Sequence, residues 1–280
     1  MIKINKNFPA PAILTNALTV SKTTKNESDY LSDSILYTSA VNNRNKKVKS
    51  FEFDSNIYGH KDVKGQLIGD QFEKCCFCEA KFIENSYGDV EHFRPKTAYT
   101  NLKSKSLIYP GYYWLAYDWN NLMFSCEKCN RSYKKNHFPL DDESTRKLFH
   151  NHPNILDDED SLLVNPITEE PTDFITFKSN IPVPVNNSKK GKMTIDIFKL
   201  ERMNNIRLDY LKMLKAALVF KKINRYDNDD LSNAMDILDI SRDDLLELID
   251  NADHLFNNAA KDTGEFAHCV RVNFPELPTI

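Results

Sequence analysis

The clearest hydrophobic pattern lies in the second half of the chain. From Thr194, the apolar residues Ile195, Ile197, Phe198, Leu200 and Met203 recur at helical spacing, and Ile206, Tyr210, Met213, Leu214, Ala217 and Leu218 continue the series. Steps of three and four predict amphipathic helix. Leu231 to Phe256 repeats the pattern, with Ser241 and Asp244 reading as an N-cap followed by an acidic first turn. The first part of the chain is less regular. Residues 21–45 are rich in Ser, Thr, Asn and Lys and have a broken apolar pattern, which predicts one or two helices joined by loose turns. Gly59 to Phe72 predicts a helix that leads into a cysteine-rich segment. From Glu143 to Asn187 runs a connector with several prolines and the acidic group Asp157, Asp158, Glu159 and Asp160.

No apolar run approaches the length of a membrane span, and Met1 to Pro9 lacks the continuous apolar stretch of a secretory signal. The expectation is a cytoplasmic protein with no membrane association. Its 7 glycines among 280 residues fit a helix-rich chain with few tight hairpins. A net charge of −3 neither excludes a nucleic-acid partner nor argues for one, because only the binding face need be basic.

Of the six cysteines, four fall into two CxxC pairs. Cys75 and Cys78 form the first, and Cys126 and Cys129 the second. In a cytoplasmic chain this pattern points to metal before disulfide, and four thiolates are what a closed tetrahedral Zn²⁺ site takes. The long separation of the pairs requires an inserted element. Cys76 and Cys269 have no partner at matching spacing and are read as packing residues. A redox role for the pairs is disfavoured, since no thioredoxin-like βαβ pattern accompanies them.

The inserted element contains Gly88, Asp89, Val90, Glu91, His92, Phe93, Arg94, Pro95 and Lys96. An acid beside a histidine at the end of a short strand can bind a hard cation through oxygen and take a proton near neutral pH. Asp118 to Ser125 then leads into the second pair. Asn130 follows it, with Arg131, Lys134 and Lys135 on an expected helix that must stop near Phe138, before Pro139. On such a helix Asn130, Lys134 and His137 share one face. A carbonyl oxygen, an ammonium and an imidazole together suit a metal with a phosphate beside it.

The order CxxC, Glu-His, Asn-Leu and CxxCN with a basic helix resembles the HNH nucleases of the zinc-stapled ββα-metal type. The resemblance is specific over Cys75 to Leu140. The segments KCCFCE, VEHFRPK, GYYWLAYDWNNL, CEKCNR and FPL, with LLVNP at Leu162 to Pro166, are similar to one subgroup. These are the PtuB-like HNH proteins paired with an ATPase in bacterial anti-phage systems of the Septu type, some attached to retrons. The resemblance implies an α+β fold, a small zinc-stapled ββα-metal HNH core embedded in a mostly helical protein. The expected regions are a partly helical 1–72, the nuclease domain 73–142, the connector 143–187 and a helical 188–280.

What the resemblance implies for the site follows residue by residue. His92 is the general base. Glu91, where many relatives have Asp, and Asn130, where many have His, hold a catalytic Mg²⁺ or Mn²⁺. Asn121 holds the loop and orients His92. Arg94, Arg131, Lys134 and His137 are candidate phosphate contacts, and His137 is the alternative third motif residue. Cys75, Cys78, Cys126 and Cys129 hold the structural Zn²⁺. The implied partners are nucleic acid, with DNA first and RNA or tRNA as the alternative, and a PtuA-like ATPase. The chain contains no GxxxxGK[ST] loop, so ATP use belongs to that partner. The competing expectation is a non-catalytic zinc module that binds nucleic acid or protein. It accounts for the cysteines and the basic helix, but not for Glu91, His92, Asn121 and Asn130 arriving in nuclease order.

Overall fold

The computed structural model describes residues 1–38 and 48–279; positions 39–45 of the Ser- and Asn-rich segment lie outside the described residues. The chain forms two compact units. The first comprises Met1–Ile175 with Pro184–Lys199, and the second Thr176–Val183 with Leu200–Ile280. Helices dominate, and two small antiparallel sheets make the fold α+β. Among the described residues, no helix is long and apolar enough to cross a membrane.

In the first unit, α1 (Ala17–Ser32) is capped by Asn16, whose side chain accepts the Thr19 N–H at 2.9 Å. Short α2 (Ser34–Tyr37) follows, and α3 (Ser55–Tyr58) and α4 (Lys61–Asp70) come before the cysteines. α4 buries Val63 and Leu67, one turn apart, against Ile57 of α3 and against Trp119, Leu122 and Phe124. Full burial of each such aliphatic side chain is worth about 1.5–3 kcal/mol. This core braces the sheet that carries the site.

That sheet pairs β1 (Asp89–His92) with β2 (Leu122–Ser125), placing Glu91 opposite Met123 and His92 opposite Leu122. All four β2 residues are buried, so β2 is the inner strand, while the Asp89 end of β1 stays half-exposed. Lys6 is anchored on the carbonyls of Trp119 and Leu122 and lies 3.8 Å from the centre of the Trp119 ring, fixing the entry to β2. A short helix, Lys128–Lys134, follows β2. It is a π-helix, not an α-helix, and it closes with the Lys135 N–H on the Asn130 carbonyl at 2.9 Å. Lys135 has φ 48° and ends it. The expected face through Asn130, Lys134 and His137 therefore does not form, because the turns are wider and His137 falls beyond the helix.

The sheet of β3 (Ile175–Lys178) and β4 (Ile181–Pro184) comes next, and α5 (Lys189–Phe198) returns to the first unit. Its Phe198 ring stacks on Phe77, inside the first CxxC pair, at 3.9 Å. The second unit holds α6 (Asn204–Lys221), α7 (Asn228–Leu238), α8 (Arg242–Ala259) and α9 (Ala267–Asn273). Ser241 and Asp244 form a reciprocal capping box on α8, which buries Leu245, Ile249, Ala252, Phe256 and Ala259 along one stripe. The periodic run from Ile195 is two helices, since Lys199 takes a left-handed conformation between α5 and α6. The run from Leu231 is broken in the same way at Asp239.

Candidate active site and metal centre

The four paired cysteines converge. Their Sγ atoms all lie within 4.8 Å of one another, and Cys78 Sγ is 3.9 Å from Cys126 Sγ. Tetrahedral Zn–S bonds of about 2.3 Å place sulfurs roughly 3.8 Å apart, so the cluster has the donor set and the spacing to hold a metal ion such as zinc. Three of the four are buried. Burial opposes ionisation of Cys75, yet hydrogen bonds from Cys126 and Cys129 outweigh it and hold that thiol well below its usual pKa. Cys76 is buried and its N–H bonds the Phe124 carbonyl, and Cys269 is buried in the second unit, 3.5 Å from the Ser179 carbonyl.

His92, the last residue of β1, is buried. Its Nε2 lies 2.9 Å from the Ala116 carbonyl. A carbonyl only accepts, so Nε2 carries the hydrogen and Nδ1 keeps its lone pair. Burial first, then the charges of Lys96 and Lys134, hold the His92 pKa well below the ordinary histidine value, against the opposing bond to Ala116. The ring is therefore neutral at neutral pH. Asn121 grips the chain just beyond His92. Its side-chain oxygen accepts the Arg94 N–H at 2.7 Å, and its amide donates to the carbonyls of Arg94 and Leu115 at 3.0 and 3.1 Å. One buried side chain thus ties the segment after β1 to the one before β2.

The acidic positions sit on the face of β1 towards the π-helix. Glu91 is buried, with Oε1 2.6 Å from Lys134 Nζ, and the same ammonium donates to the His92 carbonyl at 2.8 Å. Burial raises the Glu91 pKa, and the Lys134 charge works against it. Asp89 is gripped by Arg131 through two bonds of 2.6 and 2.8 Å and accepts the Asn130 amide at 3.1 Å. Asp89, Glu91, His92 and Asn130 line one cleft of about 580 Å³, with Lys64, Lys96, Arg131 and Lys135 among its other walls. The arrangement can present a neutral imidazole, oxygen donors and several cations to one polyanionic ligand.

Two proteins of known name are similar to this chain. The Septu protein PtuB of Bacillus mycoides (strain KBAB4) is 36% identical over 192 residues, which is 65% of this chain and 64% of that one. The Septu protein PtuB of Bacillus thuringiensis is 27% identical over 187 residues, 66% of this chain and 58% of that one. The chain spans less than two thirds of the length of these curated relatives. No protein-family profile matches it, and no solved structure does.

Of the sequence-derived candidates, the cleft brings together Glu91, His92, Asn130 and Arg131, with Asn121 buried behind them. Three others point elsewhere. Arg94 turns to Glu159, 2.8 Å from Nε, and to the Leu156 carbonyl. Lys134 has no exposed side-chain surface and is spent on Glu91 and His92. The His137 ring bonds Thr100 Oγ1 at 2.7 Å. The residues that sequence reasoning missed are Asp89, Lys96, Tyr58 and Glu159. Asp89 had a usable signal, since it precedes Glu91 by two and so shares its strand face. Glu159, buried and bonded also by Tyr112 OH and the Lys147 N–H at 2.8 Å, had none, because only folding carries the connector to Arg94.

Proposed function

We propose that this chain is a metal-dependent endonuclease, cleaving nucleic-acid phosphodiester bonds in the cytoplasm as the effector of a bacterial anti-phage system of the Septu type. The observation that carries the reading is His92. It is a buried, neutral imidazole with one nitrogen tied to a carbonyl and the other left basic at the wall of a cleft that also presents Glu91, Asn130 and four cations. Similarity to two proteins named Septu protein PtuB supports the defence role. Without a nucleotide-binding loop of its own, the chain would take its coupling to ATP from an ATPase partner.

In the proposed reaction His92 Nδ1 takes one proton from a water. The water oxygen bonds to phosphorus as the bond to the 3′ oxygen breaks, and that oxygen leaves with its electron pair and takes a proton from solvent. Asn121 fixes the backbone just beyond His92 and the segment next to the Ala116 carbonyl, and acts on the ring only through them. Carboxylate and amide oxygens suit a hard divalent cation, and the second Glu91 oxygen and the Asn130 side-chain oxygen are the donors this reading uses. Bound there, Mg²⁺ or Mn²⁺ supplies charge neutralisation at the phosphate and the leaving oxygen. Arg131 and Lys135, both exposed at the rim, attract the phosphate backbone. One Zn²⁺ on Cys75, Cys78, Cys126 and Cys129 has a structural task, joining the segment before β1 to the π-helix.

A zinc module without catalysis does not account for Glu91, His92 and Asn130 meeting at the wall of one cleft. The reading is tested by purifying the chain alone and with a PtuA-like ATPase, then assaying supercoiled plasmid DNA and tRNA. Cleavage that needs Mg²⁺ or Mn²⁺ and stops with a chelator is the expected result. A zinc-loaded, folded complex that cuts neither substrate would refute it.

A further inference from the structure

We propose that Lys96 is a catalytic residue of this site, sharing the nucleophilic water with His92 and then neutralising the phosphate it attacks. The proposal rests on the nuclease reading above and adds a residue to it. With His92 Nε2 committed to Ala116, Nδ1 is the only basic nitrogen of the ring, and the polar group beside it is the Lys96 ammonium at 3.5 Å. That separation is too long for a strong hydrogen bond. It does leave an apex from which one water reaches both atoms. Both side chains line the cleft.

Lys96 is held there by built features. Its Nζ lies 4.5 Å from the centre of the Tyr58 ring, and the same ring meets His92 edge-on at 4.8 Å. Phe53 lies on the other flank at 5.8 Å. The backbone around Lys96 is pinned from below. The Tyr112 N–H donates to the Pro95 carbonyl at 2.9 Å and the Gly111 N–H to the Thr97 carbonyl at 2.8 Å. A Cβ on Gly111 would meet the Pro95 oxygen at 2.4 Å and Ala98 N at 2.6 Å, so only glycine permits this approach. Glu91, the acid whose charge acts on Lys96, is paired directly with Lys134 instead. Burial, with Glu91 opposing it, brings the Lys96 pKa down to about 8, so the group is still largely cationic at neutral pH. A partly desolvated ammonium beside the base is placed where negative charge develops, and there it is worth more than in water.

The atoms balance without a further reactant. His92 Nδ1 accepts the water proton, the oxygen–phosphorus bond forms, the bond to the 3′ oxygen breaks, that oxygen leaves with its electron pair and takes a proton from solvent, and Lys96 stays protonated throughout as a hydrogen-bond donor. The test uses the full zinc-loaded chain with its ATPase partner, on supercoiled plasmid DNA and tRNA in Mn²⁺, under single-turnover conditions. Lys96→Ala should slow cleavage by about 10²-fold, the usual loss for one such donor. Affinity for a labelled DNA duplex should stay within about threefold, as expected for a group acting chiefly in the transition state. Lys96→Arg should restore part of the rate, and ethylamine added to Lys96→Ala should restore part in proportion to its concentration. Lys96→Met serves the same comparison if Lys96→Ala is unstable. A Lys96→Ala or Lys96→Met rate within about threefold of wild type overturns the proposal and leaves the nuclease reading standing. A slow variant that neither arginine nor ethylamine rescues also overturns it, by assigning Lys96 a structural role. A wild-type complex that cuts nothing removes both.

Discussion

The cysteine cluster and the cleft are joined by the same strand and helix but solve opposite problems. The cluster is closed: four sulfurs face one another, and Phe77 beside them is sealed under Phe198. Its geometry is complete without any ligand from outside. The cleft is open and unbalanced. It mixes a buried acid paired with lysine, a half-buried one paired with arginine, a neutral imidazole and exposed cations. The contrast separates what holds the fold from what is left available for chemistry. A closed cluster of this kind could, with a metal bound, substitute for apolar burial that a small strand–strand–helix element cannot supply. The open cleft leaves charged groups in poor solvation with room for a ligand.

The largest expected effect is at the closed site. Cys129→Ser should lose zinc and solubility together, since metal binding and folding are one equilibrium there. Metal analysis alongside circular dichroism checks this, and a well-folded Cys129→Ser protein without metal would collapse the distinction between the regions. Next comes Lys134→Met, which strands Glu91 as a buried carboxylate beside His92. Removing one partner of a buried pair costs about 3–5 kcal/mol. Urea unfolding should show that loss with zinc still bound, whereas a solvated helix-face lysine would show almost none. Asn130→Ala should leave stability and zinc nearly unchanged. It should weaken Mn²⁺ binding, read by titration calorimetry, by at least about tenfold, the low end for groups that support a metal site. Activity should then recover partly at high Mn²⁺. If instead His137→Ala is the damaging change, the third motif position has been misplaced.

The two regions also differ in how far they could be read from the chain. Thiol spacing is local and specific, so the cluster was legible in full. His92, Glu91, Asn121 and Asn130 were legible as an ordered set, and β1 ends at His92 as a short strand should. The partners of that set were not legible. Lys134 reads as an exposed helix cation until a π-helix turns it inward. Arg94 reads as a phosphate contact until Glu159, brought in from the connector, takes its guanidinium. Such long-range pairings leave no periodic trace. Helix ends were missed for a related reason. Left-handed caps usually announce themselves as glycine, but Lys199 and Asp239 occupy them here, so the apolar rhythm runs through each break unmarked.

His92 supports the most direct measurement. Its folded pKa is depressed, so below the ordinary histidine value near 6.5 the unfolded chain binds a proton that the native one does not. Stability should therefore fall as pH drops through that range, and less so in His92→Ala. Activity should rise with pH only on the acid side of 6.5 and be level through neutrality, because the base is already neutral there. The deciding experiment is single-turnover cleavage by His92→Ala beside wild type, on whichever of plasmid DNA and tRNA the wild type cuts, with zinc content and nucleic-acid affinity measured on the same preparations. The account predicts intact zinc, unchanged affinity and a rate lower by roughly 10² to 10⁴. A His92→Ala protein that cuts at the wild-type rate, in a preparation free of other nucleases, would contradict it.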